Sequence, residues 1–236
     1  MTRTNKKAAP CKPASSSVQT KLQVRPGWTS TNWSGYAIRK TRRNAYRSIS
    51  ASWTVPRVRL SPTNRFSSVW LGIDGFRNTS LIQTGTEQDV INGKAVYYAW
   101  WEILPKAETK IRLPVSANDR MYARIAKISG NRWLIVLTNR TKGWTFRKVA
   151  TYKGPASTVE WIMEAPSVNG LITPLARYTT FAFTRCRANG IRPLLKRANR
   201  GTMVQEGRTV STPSLPNRNR DGFSVAYGAS RPLSSK

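Results

Sequence analysis

The feature that most constrains this chain is how it is punctuated. From Trp28 onward, short runs of β-branched and aromatic residues are broken by Gly, Pro and Asn, and none carries the 3.6-residue apolar period of a long helix. Thirteen runs read as strands: 33–39, 47–55, 67–74, 79–84, 94–103, 108–115, 120–128, 132–138, 144–150, 157–165, 177–185, 201–206 and 222–227. Between them, "INGKAV" at 91–96, "ISGNRW" at 128–133 and "TNRTKGW" at 138–144 supply Gly or Asn where the chain must reverse. Only "RPLLKRANR" at 192–200 has the makings of a helical turn or two. Strand count and spacing predict an all-β fold, a sandwich of two antiparallel sheets. With 236 residues, 39% of them hydrophobic, the chain suffices for one such domain over residues 28–230. Residues 1–27, rich in Lys, Ser, Pro and Ala, read as a disordered basic tail or a removable pro-segment, and 231–236 as a C-terminal tail.

Absences narrow the chemistry. There is no histidine, which removes Ser-His-Asp and Cys-His catalysis together with the usual His-containing zinc sites. Two cysteines, Cys11 and Cys186, are too few for a thiolate cage or a disulfide scaffold and read as isolated thiols. No metal or cofactor is expected, and any enzyme here works with carboxylates, amides, hydroxyls or amines. The N-terminus shows no apolar stretch of the kind a signal peptide or membrane span needs. Against 10 Asp and Glu stand 40 Lys and Arg, a formal charge of +30, so non-specific contact with polyanions is expected whatever else the protein does.

Side chains at i and i+2 share a face of a strand, so the faces can be read from parity. In "SSVWLGIDG", Val69, Leu71 and Ile73 oppose Trp70, Gly72 and Asp74. In "VYYAWWEILP", Tyr98, Trp100 and Glu102 share a face, and in "TVEWIMEAP", Glu160, Ile162 and Glu164 oppose Val159, Trp161 and Met163. Three strands thus pair an apolar core face with a face that carries carboxylates but no Lys or Arg, against the grain of so basic a chain. Gln83 shares its face with Leu81; parity alone does not separate it from a surface residue.

Six motifs, "NWSGYA" (32–37), "SWTVP" (52–56), "VWLGIDG" (69–75), "LIQTGT" (81–86), "YYAWWEILP" (97–105) and "VEWIMEAP" (159–166), resemble in order and rough spacing those of the glutamic peptidases, or eqolisins. The resemblance covers about 32–227. It implies a concanavalin-like β-sandwich with a curved seven-stranded sheet, a cleft for a polypeptide and a Gln/Glu catalytic pair. By the motifs the Gln falls on Gln83 and the Glu on Glu164, with Glu160 as the alternative because the two acids share a parity. Trp70, Asp74, Glu102 and Glu160 match positions that line or support the cleft. The resemblance also suggests secretion, and a monomer is expected.

In this scheme the glutamate draws a proton from a water that attacks the scissile carbonyl, while the amide holds the water and donates to the oxyanion. Two other readings remain open on the residues: a non-catalytic sandwich binding polyanions through its charge and nine Trp residues, and a carbohydrate-active sandwich using Glu160 and Glu164.

Overall fold

The computed structural model describes residues 6–7 and 27–235. Strands dominate it. In chain order they are β1 (Lys6–Lys7), β2 (Trp28–Ser30), β3 (Trp33–Arg39), β4 (Ser48–Thr54), β5 (Ser68–Ile73), β6 (Ile82–Ile91), β7 (Lys94–Ile103), β8 (Thr109–Ile111) and β9 (Arg120–Ser129). There follow β10 (Arg132–Asn139), β11 (Trp144–Thr151), β12 (Thr158–Glu164), β13 (Ser167–Val168), β14 (Leu171–Ile172), β15 (Phe181–Ala188), β16 (Arg200–Gln205), β17 (Arg208–Pro213) and β18 (Phe223–Tyr227). The helical turn expected at 192–200 is a single 3-10 turn, Arg197–Asn199.

Two layers pack face to face, and the expected all-β sandwich is what forms. One contains β11, β10, β9, β4 and β15; the other contains β3, β12, β5, β6, β7 and β8. Hydrogen bonding runs without a break from one layer to the other through β18, β17 and β16. Apart from this path, β13 pairs with β14 and with β1, where Lys6 stands opposite Val168. The remainder of the tail expected at 1–27, Cys11 included, lies outside the described residues, Gly27 excepted.

The core obeys the parity of the sequence. Ile49, Ala51 and Trp53 of β4, Met121, Ala123 and Ile125 of β9, and Trp133, Ile135 and Leu137 of β10 meet Val69, Leu71 and Ile73 of β5 and Val159, Trp161 and Met163 of β12. Burying an aliphatic or aromatic side chain of this size is worth roughly 1.5–3 kcal/mol, so this interlayer contact holds the fold together. A second apolar cluster sits on the opposite face of the β3–β12–β5–β6–β7 layer, with Trp33, Ala37, Trp70, Leu81, Trp100 and Ile162 at its centre. Cys186 is a free thiol in the main core, and burial pushes its pKa well up.

Candidate active site

Strand register assembles the polar residues on this second face. Ala37 stands opposite Glu160, Glu160 opposite Gly72, Gly72 opposite Gln83, and Gln83 opposite Glu102. Adjacent strands lie about 4.8 Å apart, so the backbones of Glu160 and Gln83 are separated by about 10 Å, with a glycine between. Gly72 is needed there. A Cβ on it would come within 2.9 Å of Leu81 Cδ1, 3.0 Å of the Trp70 ring and 3.1 Å of Gln83 Cβ. An amide and a carboxylate therefore flank bare backbone on the same side of the sheet.

Four residues farther along β12 runs a second row: Trp33, Glu164, Ser68, Glu87 and Tyr98. Between the two rows, Trp70 and Trp100 stand on either side of Gly85. A Cβ on Gly85 would meet Val69 O at 2.3 Å and Trp70 Cβ at 2.5 Å, so this glycine is a spacer for indoles and not the end of a strand. β6 continues through it to Ile91, where the sequence suggested a stop at Thr84. The extension carries Glu87 and Asp89 onto the face of Gln83, two acids that sequence reasoning missed. Their signal was the parity 83, 85, 87, 89, lost once Gly85 is taken as a breaker.

Glu87, Asp89, Glu102, Glu160 and Glu164 thus share this face, half of the ten acids, and all five are buried. Gln83 Nε2 donates to Glu102 Oε2 at 2.6 Å, while Gln83 Oε1 is buried without a hydrogen-bond partner among the described residues. Trp70 Nε1 donates to Glu164 Oε2 at 2.7 Å, and Trp70 in turn packs edge-on against Trp33. Neither oxygen of Glu160 has a well-formed hydrogen bond among the described residues. Burial pushes the Glu160 carboxyl well above the usual carboxylate range; the Thr158 hydroxyl opposes the rise, the Asp74 charge adds to it, and the Phe76 backbone N–H opposes it.

The sequence-derived residues separate into groups. Gln83, Glu102 and Glu160 come together in one row. Glu164 stands four positions from Glu160 on the same strand, about 13 Å at Cα, and is engaged by Trp70. The register places Glu160, rather than the Glu164 designated by motif order, in the row of Gln83; pairing between strands is not written in either motif. Asp74 follows the end of β5 with φ 71° and takes a supporting place. Its carboxylate accepts from the Tyr152 hydroxyl and the Ala156 N–H at 2.6 Å each, from the Ser157 N–H at 2.9 Å, and from Asn78 Nδ2 and the Ser157 hydroxyl at 3.2 Å each. Among the described residues no three His, Cys, Asp or Glu side chains converge as a metal cage.

A two-layer β-sandwich that buries an amide and several carboxylates among tryptophans on one sheet face has the build of a glutamic peptidase. The family model of the Peptidase A4 family matches residues 31–227, and the chain belongs to that family, whose members are endopeptidases. Among solved structures, scytalido-glutamic peptidase with a transition state analog inhibitor aligns with a TM-score of 0.71 at 20% identity, over 84% of this chain and 98% of that one. SCP-B, an eqolisin in complex with the tripeptide Ala-Ile-His, gives 0.57 at 20% identity over 84% and 98%. Aspergilloglutamic peptidase from Aspergillus niger gives 0.59 at 21% over 69% and 99%. No curated protein matches the sequence significantly.

Proposed function

We propose that this endopeptidase cleaves polypeptides with Gln83 and Glu160 as its working pair and a water as nucleophile. One observation carries the reading: Gln83 and Glu160 occupy one cross-strand row on either side of Gly72, with Gln83 Oε1 and both Glu160 oxygens lacking well-formed bonds. Ionised Glu160 takes a proton from the water as it attacks the scissile carbonyl carbon. Gln83 Oε1 accepts the water's other hydrogen. The Gln83 N–H not given to Glu102 donates to the oxyanion of the tetrahedral intermediate, a donor worth on the order of 10²–10³ in rate. Glu160 then passes its proton to the leaving amine, and the C–N bond breaks.

Environment suits both roles. The raised pKa of Glu160 makes it a stronger base when ionised and a ready proton carrier afterwards. An amide donates at any pH, so Gln83 needs no protonation of its own. The buried indole N–H groups of Trp33 and Trp100, without partners among the described residues, stand on the same face as donors for backbone carbonyls of an extended substrate. The carbohydrate reading loses its support: the chain belongs to a peptidase family, and Glu164 is held by Trp70.

The test is cleavage of unfolded casein from about pH 2 to pH 8, a range that spans carboxylate titration. Gln83→Ala and Glu160→Gln are expected to abolish cleavage, and Glu164→Gln to retain it, with circular dichroism confirming that each variant folds. Activity in Glu160→Gln together with its loss in Glu164→Gln would return the base to Glu164. Cleavage indifferent to Gln83 would end the two-residue scheme.

A further inference from the structure

The outer face of the other layer has the opposite chemistry. Across β11, β10, β9, β4 and β15, register sets five hydroxyl residues in a row: Thr145, Thr138, Tyr122, Ser52 and Thr184. Two residues along, Arg147 and Arg124 flank Val136 in the next row. On the other side Arg120 stands opposite Thr54, and the Arg140 N–H donates to Arg120 O at 2.8 Å. Register in β15 shifts between Thr184 and Arg187, where Arg185 takes φ 52°.

These features meet at a depression of about 310 Å³ whose lining includes Arg120, Arg140 and Arg185, with the hydroxyl residues Ser52, Thr54 and Thr184. The Ser52 hydroxyl is buried there without a hydrogen-bond partner among the described residues. All three arginines are exposed, and none forms an ion pair with a carboxylate among the described residues, where the ion pairs belong to Asp119 and Asp221. The Arg140 guanidinium lies 5.2 Å from the centre of the Tyr122 ring, a cation–π contact that holds it over the hydroxyl row.

We propose that this depression binds a phosphate of a nucleic-acid backbone, with Arg124 and Arg147 engaging neighbouring phosphates of the same strand. Three guanidinium groups without carboxylate partners around a hydroxyl floor match a tetrahedral oxyanion, since each guanidinium offers a planar fork of donors suited to phosphate oxygens. The cations are spread over five adjacent strands, from β15 to β11, a span of about 20 Å. That extent fits a polymer of phosphates better than a single ion. This surface is on the layer opposite Gln83 and Glu160, so binding there leaves the peptidase face open.

Fluorescence anisotropy with a labelled single-stranded DNA of about 20 nucleotides, titrated at several salt concentrations, tests this. The triple variant R120Q/R140Q/R185Q is compared with R57Q/R59Q/R208Q, which removes three exposed arginines elsewhere and so matches its net charge. The first variant is expected to lose at least ~10-fold in affinity, and its salt slope to fall by about 0.7, the contribution of one phosphate contact on a single strand. The second is expected to stay within about twofold of the wild type on this reading of local contacts. Equal losses in both variants would mean diffuse charge and overturn the site. Arginine-dependent binding of polygalacturonate, or of inorganic phosphate alone, with none of DNA would overturn the nucleic-acid assignment. An unchanged melting temperature in both variants keeps misfolding out of the comparison.

Discussion

Gln83 and Glu102 face each other across β6 and β7, with Gln83 Nε2 donating to Glu102 Oε2 at 2.6 Å. The bond fixes which way the amide points. A carboxylate accepts and cannot donate, so it holds the NH₂ group toward β7 and leaves Gln83 Oε1 for the Glu160 side of the row.

Glu102→Gln removes that distinction, because a second amide pairs with either orientation of the first. Hydrogen bonds to charged groups contribute ~1.5–3 kcal/mol, so kcat is expected to fall about 10–100-fold. KM should change little, since orientation matters to the transition state more than to substrate capture. Steady-state kinetics on a fluorogenic peptide separates the two parameters.

Gly72→Ala places a methyl group between the working side chains. Leu81, the Trp70 ring and Gln83 Cβ lie at 2.9–3.1 Å from the new carbon, so Gln83 must shift. Misplacement of this kind costs on the order of 10²-fold in turnover, expected here with a cooperative melting transition retained.

Glu160→Gln should make the protein inactive and, at neutral pH, more stable. The folded protein holds the Glu160 proton to higher pH than the unfolded chain does. The stability this proton confers is present below the unfolded value near 4.5 and is lost as pH rises through the raised folded value. A neutral amide has no such dependence. Melting temperatures measured across pH are expected to converge for the two proteins in acid and to separate above it, with the variant higher.

Asp74→Ala unfastens the segment Tyr152–Ser157 and the loop through Asn78 from the end of β5. Loss of a buried carboxylate that accepts from five donors is expected to destabilise by about 2–4 kcal/mol, read from urea denaturation.

How much of this was legible in the sequence depended on whether the information was local. Parity assigned Val69, Leu71, Ile73, Val159, Trp161 and Met163 to the core, because side-chain alternation is a property of each strand alone. The reach of β6 was not legible, since Gly85 looks like a breaker until Trp70 is seen to require it. "RTVSTP", which forms β17, is too polar and short to announce itself, yet it helps carry hydrogen bonding between the layers. Which of Glu160 and Glu164 shares a row with Gln83 depends on the register of β12 against β5 and of β5 against β6, a tertiary property that motif order leaves undetermined.

The hydrogen-bonded path that joins the two layers ends at β8 on one side and at β11 on the other. Such rims are where foreign strands add and aggregation starts. β8 is three residues long with a lysine at its centre, and β11 carries Arg147 and Lys148 side by side. Two copies approaching rim to rim would bring like charges together at every pairing. For a chain of +30, the lysines and arginines at these rims thus double as an electrostatic guard against edge-to-edge pairing between copies.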